Sequence, residues 1–175
     1  GQTQKADIAD LTECGWAQKV CAFTTDLIFT PMSFERRMEI FPTSSRQSKI
    51  GDPNWYTGEV WLDPILAAPA PSRHRSVRAM FDPGARTAWH SHPLGQTVYV
   101  IAGIGLIGIR DAPPKILRAG DTIWIPPGQE HWHGAPLNSV LDQIVIHETE
   151  CGFVTTWMAH VSEEECQMPP GDLTP

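Results

Sequence analysis

From residue 58 onward the chain is a succession of short apolar segments separated by proline and glycine. The segments are GEVWLDPI (58–65), SVRAMF (76–81), QTVYVIAG (96–103), IGLIGIR (104–110), DTIWIP (121–126), SVLDQIVIH (139–147) and FVTTWMAHV (153–161). They are rich in Val, Ile, Trp and Thr and are bounded by turn residues, a pattern that predicts the strands of an all-β sandwich or barrel. Several alternate only weakly and are apolar on both faces. Such strands line a barrel on one side and pack against a second sheet or a subunit on the other.

The first forty residues follow a different rule. KADIADLTECGWAQKV (5–20) reads as a modestly amphipathic helix with Ile8 and Leu11 on one side, and SFERRMEIF (33–41) suits either a helix end or a strand. PTSSRQSKIGDPN (42–54) is a polar loop. The expected division is an N-terminal extension over 1–37, a barrel domain over 38–166 and a C-terminal tail over 167–175. The extension is expected either to pack on the barrel or a neighbouring subunit, or to be a partly ordered appendage without chemistry.

Composition narrows the function classes. At 175 residues with 41% hydrophobic positions the chain can bury a core without staples, and a net charge of −7 argues against a nucleic-acid or anionic-membrane surface. No apolar run approaches the length of a membrane span. Cys14, Cys21, Cys151 and Cys166 form no CxxC pair. The expectation is free thiols in a reducing, cytoplasmic setting.

The chemistry concentrates in two stretches. In WHSHPLGQ (89–96), His90 and His92 are two apart, so on a strand both side chains point the same way, and Gln96 follows a turn that can return it to the same cavity. In GDTIWIPPGQEHWHG (120–134), the turn PPGQE delivers His131, with His133 two residues on and on the same face. Four of the seven histidines thus fall in two HxH pairs, each with its own Gly/Pro turn. Neutral imidazoles in that number suit a first-row transition metal better than calcium or magnesium.

The spacing is that of a known superfamily. Gly84, five residues, His90, His92, three residues, Gln96, six residues and Gly103 resemble the first cupin motif, and Gly120, Pro126, Gly128 and His131 resemble the second. The departures are Gln96 where glutamate is usual and Ala135 where asparagine is usual. The resemblance implies a cupin fold, a double-stranded β-helix or jelly-roll barrel. NWYTGEVWLDP (54–64), PGARTAWHSHPLGQT (83–97), PPGQEHWHG (126–134) and WMAHVSEE (157–164) are further similar to small single-domain cupins that include bacterial manganese-dependent (R)-hydroxynitrile lyases. Carried over residue by residue, that likeness implies His90, His92, Gln96 and His131 as ligands of a divalent metal. Manganese is the first choice, with iron, zinc and nickel as alternatives. It makes His133 an acid–base residue, and it turns the alternating face Leu141, Gln143, Val145 and His147 toward the cavity, with Gln143 and His147 placing a substrate. A dimer or tetramer acting on a small molecule is the expected assembly.

The glutamine changes the charge of such a site. Three imidazoles and an amide leave a divalent ion its full formal charge, which strengthens it as a Lewis acid and, by disfavouring higher oxidation states, points away from oxygen activation. In the alternative, Gln96 only hydrogen-bonds a three-histidine centre. The leading expectation is a lyase cleaving or forming a C–C bond beside an oxygen that the metal polarises. The alternative is a decarboxylase, isomerase or dehydratase working through an enolate of a polyketide-like or aromatic intermediate. An iron dioxygenase and a non-catalytic binding cupin rank below these. His74 reads as a solvated loop residue, Arg86 as a strand-end salt bridge or an anion-orienting group, and Trp89, Trp124 and Trp132 as walls of the cavity or of the outer sheet.

Overall fold

The computed structural model describes residues 38–169; the helix expected at 5–20 and the whole extension over 1–37 lie outside the described residues. The chain divides into two units, Gly1–Glu39 and Ile40–Pro175, and every strand among the described residues belongs to the second. In chain order these are β1 (Lys49–Ile50), β2 (Tyr56–Thr57), β3 (Val60–Ala67), β4 (His74–Phe81), β5 (Arg86–Thr87), β6 (His90–Ser91), β7 (Gln96–Ile109), β8 (Lys115–Arg118), β9 (Thr122–Ile125), β10 (His131–Gly134), β11 (Leu141–Glu148) and β12 (Thr156–Trp157). A short helix, α1 (Glu163–Gln167), closes the described chain. Among the described residues no helix is long and apolar enough to cross a membrane.

Among the described residues all the strand pairs are antiparallel, and the sheet curls over itself in two layers. One layer runs β1, β3, β4, β11 and the first half of β7, with β9 on its far side. The second half of β7 crosses to the other layer, where β8 and β10 flank it and β5, β6, β2 and β12 extend it. The segments expected as separate strands at 96–103 and 104–110 are therefore one strand of 14 residues. Gly103 lets it turn: its φ is +80°, and a Cβ there would run into the Val140 carbonyl.

The period-two pattern sorts side chains as the sequence implies. On β11, Leu141, Gln143 and Val145 are buried while Asp142, Ile144 and Ile146 are not. Val60, Phe81, Val98, Val100 and Leu141 pack with Ile107 and Leu117 of the opposite layer in one apolar core. Each such buried side chain contributes about 1.5–3 kcal/mol. A second cluster, Trp89, Leu106, Trp132 and Val161, seats the segment leading into α1.

Several expectations need correction. Only Thr156–Trp157 of the 153–161 segment is strand, because the flanking residues answer backbone groups outside a ladder: Met158 N–H donates to Trp89 O, and Trp89 N–H to Ala159 O. The 42–54 loop holds a 3-10 turn at Thr43–Ser45 and strand β1, whose Lys49 and Ile50 pair with Leu62 and Trp61. His74 is no loop residue but the half-buried first residue of β4. Helix α1 starts on a reciprocal cap, with the Ser162 hydroxyl accepting from Glu165 N–H and the Glu165 carboxylate accepting from Ser162 N–H. Cys166 is a free, half-buried thiol, but Cys151, exposed in the turn after β11, is held in a disulfide. The expectation of a reducing compartment, which rested on free thiols, loses that support.

Candidate metal centre

Three strands bring the candidate ligands together. His90 opens β6 and His131 opens β10, and these two residues face each other in an antiparallel register. His92 follows β6, and Gln96 starts β7. The ring centroids of His90 and His131 are 4.1 Å apart, those of His90 and His92 5.2 Å, and those of His92 and His131 5.6 Å. One nitrogen from each lies within 4.8 Å of the others, and all three side chains are buried.

Their protonation follows from their partners. Nδ1 of His90 lies 2.9 Å from Ala88 O, Nδ1 of His92 2.7 Å from Val154 O, and Nδ1 of His131 2.9 Å from Gln129 O. A carbonyl only accepts, so each Nδ1 carries the proton and each Nε2 presents a lone pair. Fixing the tautomer through the far nitrogen is how metal-binding imidazoles are oriented. Burial depresses the pKa of all three; for His131 it falls to about 4, and for His90 the neighbouring rings of His131 and His133 push in the same direction. Neutral imidazoles are the form a metal needs.

Two features show that a cation suits this arrangement. Nε2 of His92 is buried and has no hydrogen-bond partner. Gln96 Oε1 sits 3.2 Å from His131 Nε2, whose proton is on the other nitrogen. In this orientation of the amide two acceptors face each other, an arrangement that a positive charge between them would stabilise. The set His90, His92, His131 and Gln96 thus fits a divalent transition metal with nitrogen and oxygen donors.

Two further histidines flank the cluster. His133 is buried on β10, 5.2 Å from His90 and 6.0 Å from His131 between ring centroids. Gln143 Nε2 lies 2.8 Å from its Nδ1, while Gln143 Oε1 is buried without a partner. Gln143 therefore addresses His133 and does not line the cavity. His147, near the end of β11, stacks on His92 at 5.0 Å, and its Nδ1 is buried without a partner. Desolvation lowers the pKa of both, to about 4 for His147, which keeps them neutral near pH 7.

The cavity over these groups has a volume of about 110 Å³. Leu62, Val77, Ala79, Phe81 and Val145 form its apolar wall, and Tyr56, Thr155 and Trp157 complete it. Trp157 stands 4.9 Å from His90 and edge-on to Tyr56. Burial raises the Tyr56 phenol to about 12, so it stays neutral. Sequence reading missed Tyr56 and Trp157. The aromatic pair at 55–56 was a signal, but nothing local ties it to residue 157.

The remaining candidates fall elsewhere. Arg86 is buried away from the cavity, where it donates to Val161 O and pairs with Glu163 at 2.7 Å, tying α1 to the barrel. Trp89 and Trp132 are core, with Arg110 stacked 3.7 Å over Trp89, whereas Trp124 is exposed. His160 meets Thr57 Oγ1 on the exterior.

Known proteins share this plan. The cupin-domain family profile matches residues 77–147. The chain is 41% identical over 128 residues to an (R)-mandelonitrile lyase of Granulicella tundricola, an alignment covering 73% of this chain and 98% of that one. A crystal structure of a cupin-like protein from Thermotoga maritima superimposes with a TM-score of 0.66 at 34% identity, covering 74% of this chain and 96% of the other. The polyketide cyclase RemF of Streptomyces resistomycificus has a TM-score of 0.60 at 19% identity over 76% and 95% of the two chains, a likeness of fold. With two HxH pairs mounted on facing strands of a curled antiparallel sheet, and a relative matched over nearly its whole length, this chain belongs to the cupin family.

Proposed function

We propose that this protein is a metal-dependent carbon–carbon lyase that splits a cyanohydrin into a carbonyl compound and hydrogen cyanide, and runs the reverse addition. The observation carrying this reading is a cluster of three pre-oriented imidazole lone pairs with a fourth buried imidazole, His133, beside it. The likeness to a mandelonitrile lyase supports it. A divalent ion held by His90, His92, His131 and Gln96 would supply Lewis acidity toward a substrate hydroxyl.

The protein's own groups account for the proton. Gln143 presents Nε2 to His133 Nδ1 and leaves Oε1 without a partner; a half-turn of the amide would give Oε1 the Nδ1–H and leave His133 Nε2 a lone pair with which to act as the base. It takes the hydroxyl proton as the carbonyl forms. The C–C bond pair departs on cyanide, which takes the proton back from Nε2 as hydrogen cyanide. The apolar wall of Leu62, Val77 and Phe81 keeps water from competing for that proton.

A second reading rests on His147. Its buried, partnerless Nδ1 offers another proton-transfer group on the same cavity, which an isomerase moving a proton between two carbons requires. Benzaldehyde release from racemic mandelonitrile separates the readings. Manganese-loaded protein is expected to release it, metal-stripped protein is not, and His133→Ala is expected to lose about a hundredfold or more. No release from fully loaded, folded protein would overturn the lyase reading. Metal-dependent proton exchange on a ketone would then favour the isomerase.

A further inference from the structure

We infer that the site has two compartments: the inner chamber takes only the reacting end of a substrate, while a flat aromatic body lies outside on Trp55 and Trp157. The inference deepens the lyase reading and rests on it for the identity of the reacting end. An engineered apolar cavity of about 150 Å³ holds one benzene. The chamber of about 110 Å³ is smaller and must also admit the carbon, oxygen and cyanide that react. An aryl substituent does not fit inside with them.

There is a place for it next door. An open basin of about 590 Å³ adjoins the chamber, and Tyr56, Leu62 and Trp157 line both. As the residues lining both spaces, these three are taken as the aperture between them. The basin adds Ile50, 56% exposed, and Trp55, 36% exposed, which bare apolar surface to solvent. Trp55 and Trp157 stack at 5.4 Å with their planes 15° apart, and Trp157 in turn lies against His90. A row of aromatic faces therefore leads from the surface to the metal-binding imidazoles. Lys49 and Asp52 are the charged members of the basin, and the rest of its lining prefers a neutral, flat ligand. Gly51 packs directly on one of the aperture residues, passing so close to the Tyr56 ring that an added Cβ would come within 2.6 Å of it.

The geometry therefore points to carbonyl or cyanohydrin substrates bearing an aromatic group of one or more fused rings. The test uses the full chain, loaded with manganese, and two probes followed by titration calorimetry: 2-naphthylmethanol for the basin and azide, a three-atom anion, for the chamber. Trp55→Ala is expected to weaken the naphthyl probe about tenfold, as loss of a stacking face implies, and to leave azide within about twofold. Leu62→Trp, which narrows the aperture, is expected to weaken the naphthyl probe further. Trp55 is partly exposed, so its variant keeps the test available if Leu62→Trp does not fold. Absent naphthyl binding, naphthyl affinity unchanged in the variants, or an equal loss for azide would overturn the inference. Aperture-dependent naphthyl binding without mandelonitrile turnover would retire the lyase reading and leave the compartment standing. Turnover with naphthyl affinity indifferent to both variants would do the opposite.

Discussion

Lowering the pH from 7 to 5 on metal-free protein titrates the buried imidazole cluster against the unfolded chain. In the folded state the pKa of His90, His131 and His133 is depressed by burial, to about 4 for His131 and well below the usual imidazole range for the other two. The unfolded chain takes up protons near 6.5. Between these values the unfolded state binds more protons, so stability is flat above pH 7 and falls as pH drops. At pH 5 a histidine that stays neutral when folded forfeits about 2 kcal/mol, and that figure saturates: it is nearly the same for any folded pKa of 4 or below. Three such residues together approach 6 kcal/mol, comparable to the whole stability of many domains. His147, lowered to about 4 like His131, adds a similar amount, and His92, lowered by burial as well, acts in the same direction. The lowered carboxylates, Glu163 and Glu165, respond only as pH falls below their unfolded value near 4.5, which leaves the window from 7 to 5 to the histidines. Urea unfolding followed by tryptophan fluorescence at half-unit steps is expected to show the midpoint collapsing toward pH 5 at constant m-value. A midpoint unchanged from pH 7 to 5 would refute the assignment of these imidazoles as neutral and buried.

Other perturbations separate the roles within the site. Gln96→Ala should lower manganese affinity by about tenfold or more if the amide is a ligand, whereas a pure three-histidine centre predicts a change under about twofold; metal titration decides between them. Gln143→Leu should leave metal content intact but cut kcat about tenfold to a hundredfold and alter the pH profile, since His133 loses the group that selects its tautomer; unchanged kinetics would make Gln143 a packing residue. Gly103→Ala should destabilise by roughly 3 kcal/mol or more, because the position combines positive φ with contact to the Val140 carbonyl, and thermal unfolding reads this directly. Manganese at about a hundred times its Kd should raise stability by about 2.7 kcal/mol and EDTA should reverse it; no shift would argue that the four donors do not bind the ion.

Much of this site was legible along the chain because its geometry is local. The two-residue spacing in 90–92 and 131–133 places side chains on one face of extended backbone whatever the rest of the chain does, and Gly84, Gly95, Gly103, Gly120 and Gly128 all take the positive φ that their turns require. The anchoring of two ligands is local as well: His90 and His131 each donate to the carbonyl two residues back, Ala88 and Gln129. Alternation on β11 likewise set the buried Gln143 apart from its half-buried neighbours Asp142 and Ile144.

What the tertiary structure decided are the meetings between distant segments, to which periodicity is blind. His92 is oriented by Val154, 62 residues away, and neither position carries a local mark of the other. Gln143 could face a substrate or a neighbour with equal local logic; the pairing of β11 and β10 with opposite halves of β7 brings it to His133 instead. Tyr56 and Trp157 reach the same cavity only because β2 and β12 attach to neighbouring strands of one layer. The sequence by itself thus determined which atoms are donors and which face of each strand they occupy, since both depend on the few residues around them. Only the closed sheet decided how large the chamber is, what stands at its mouth and which histidine is left to move a proton, because those follow from packing across chain separations that no local pattern encodes.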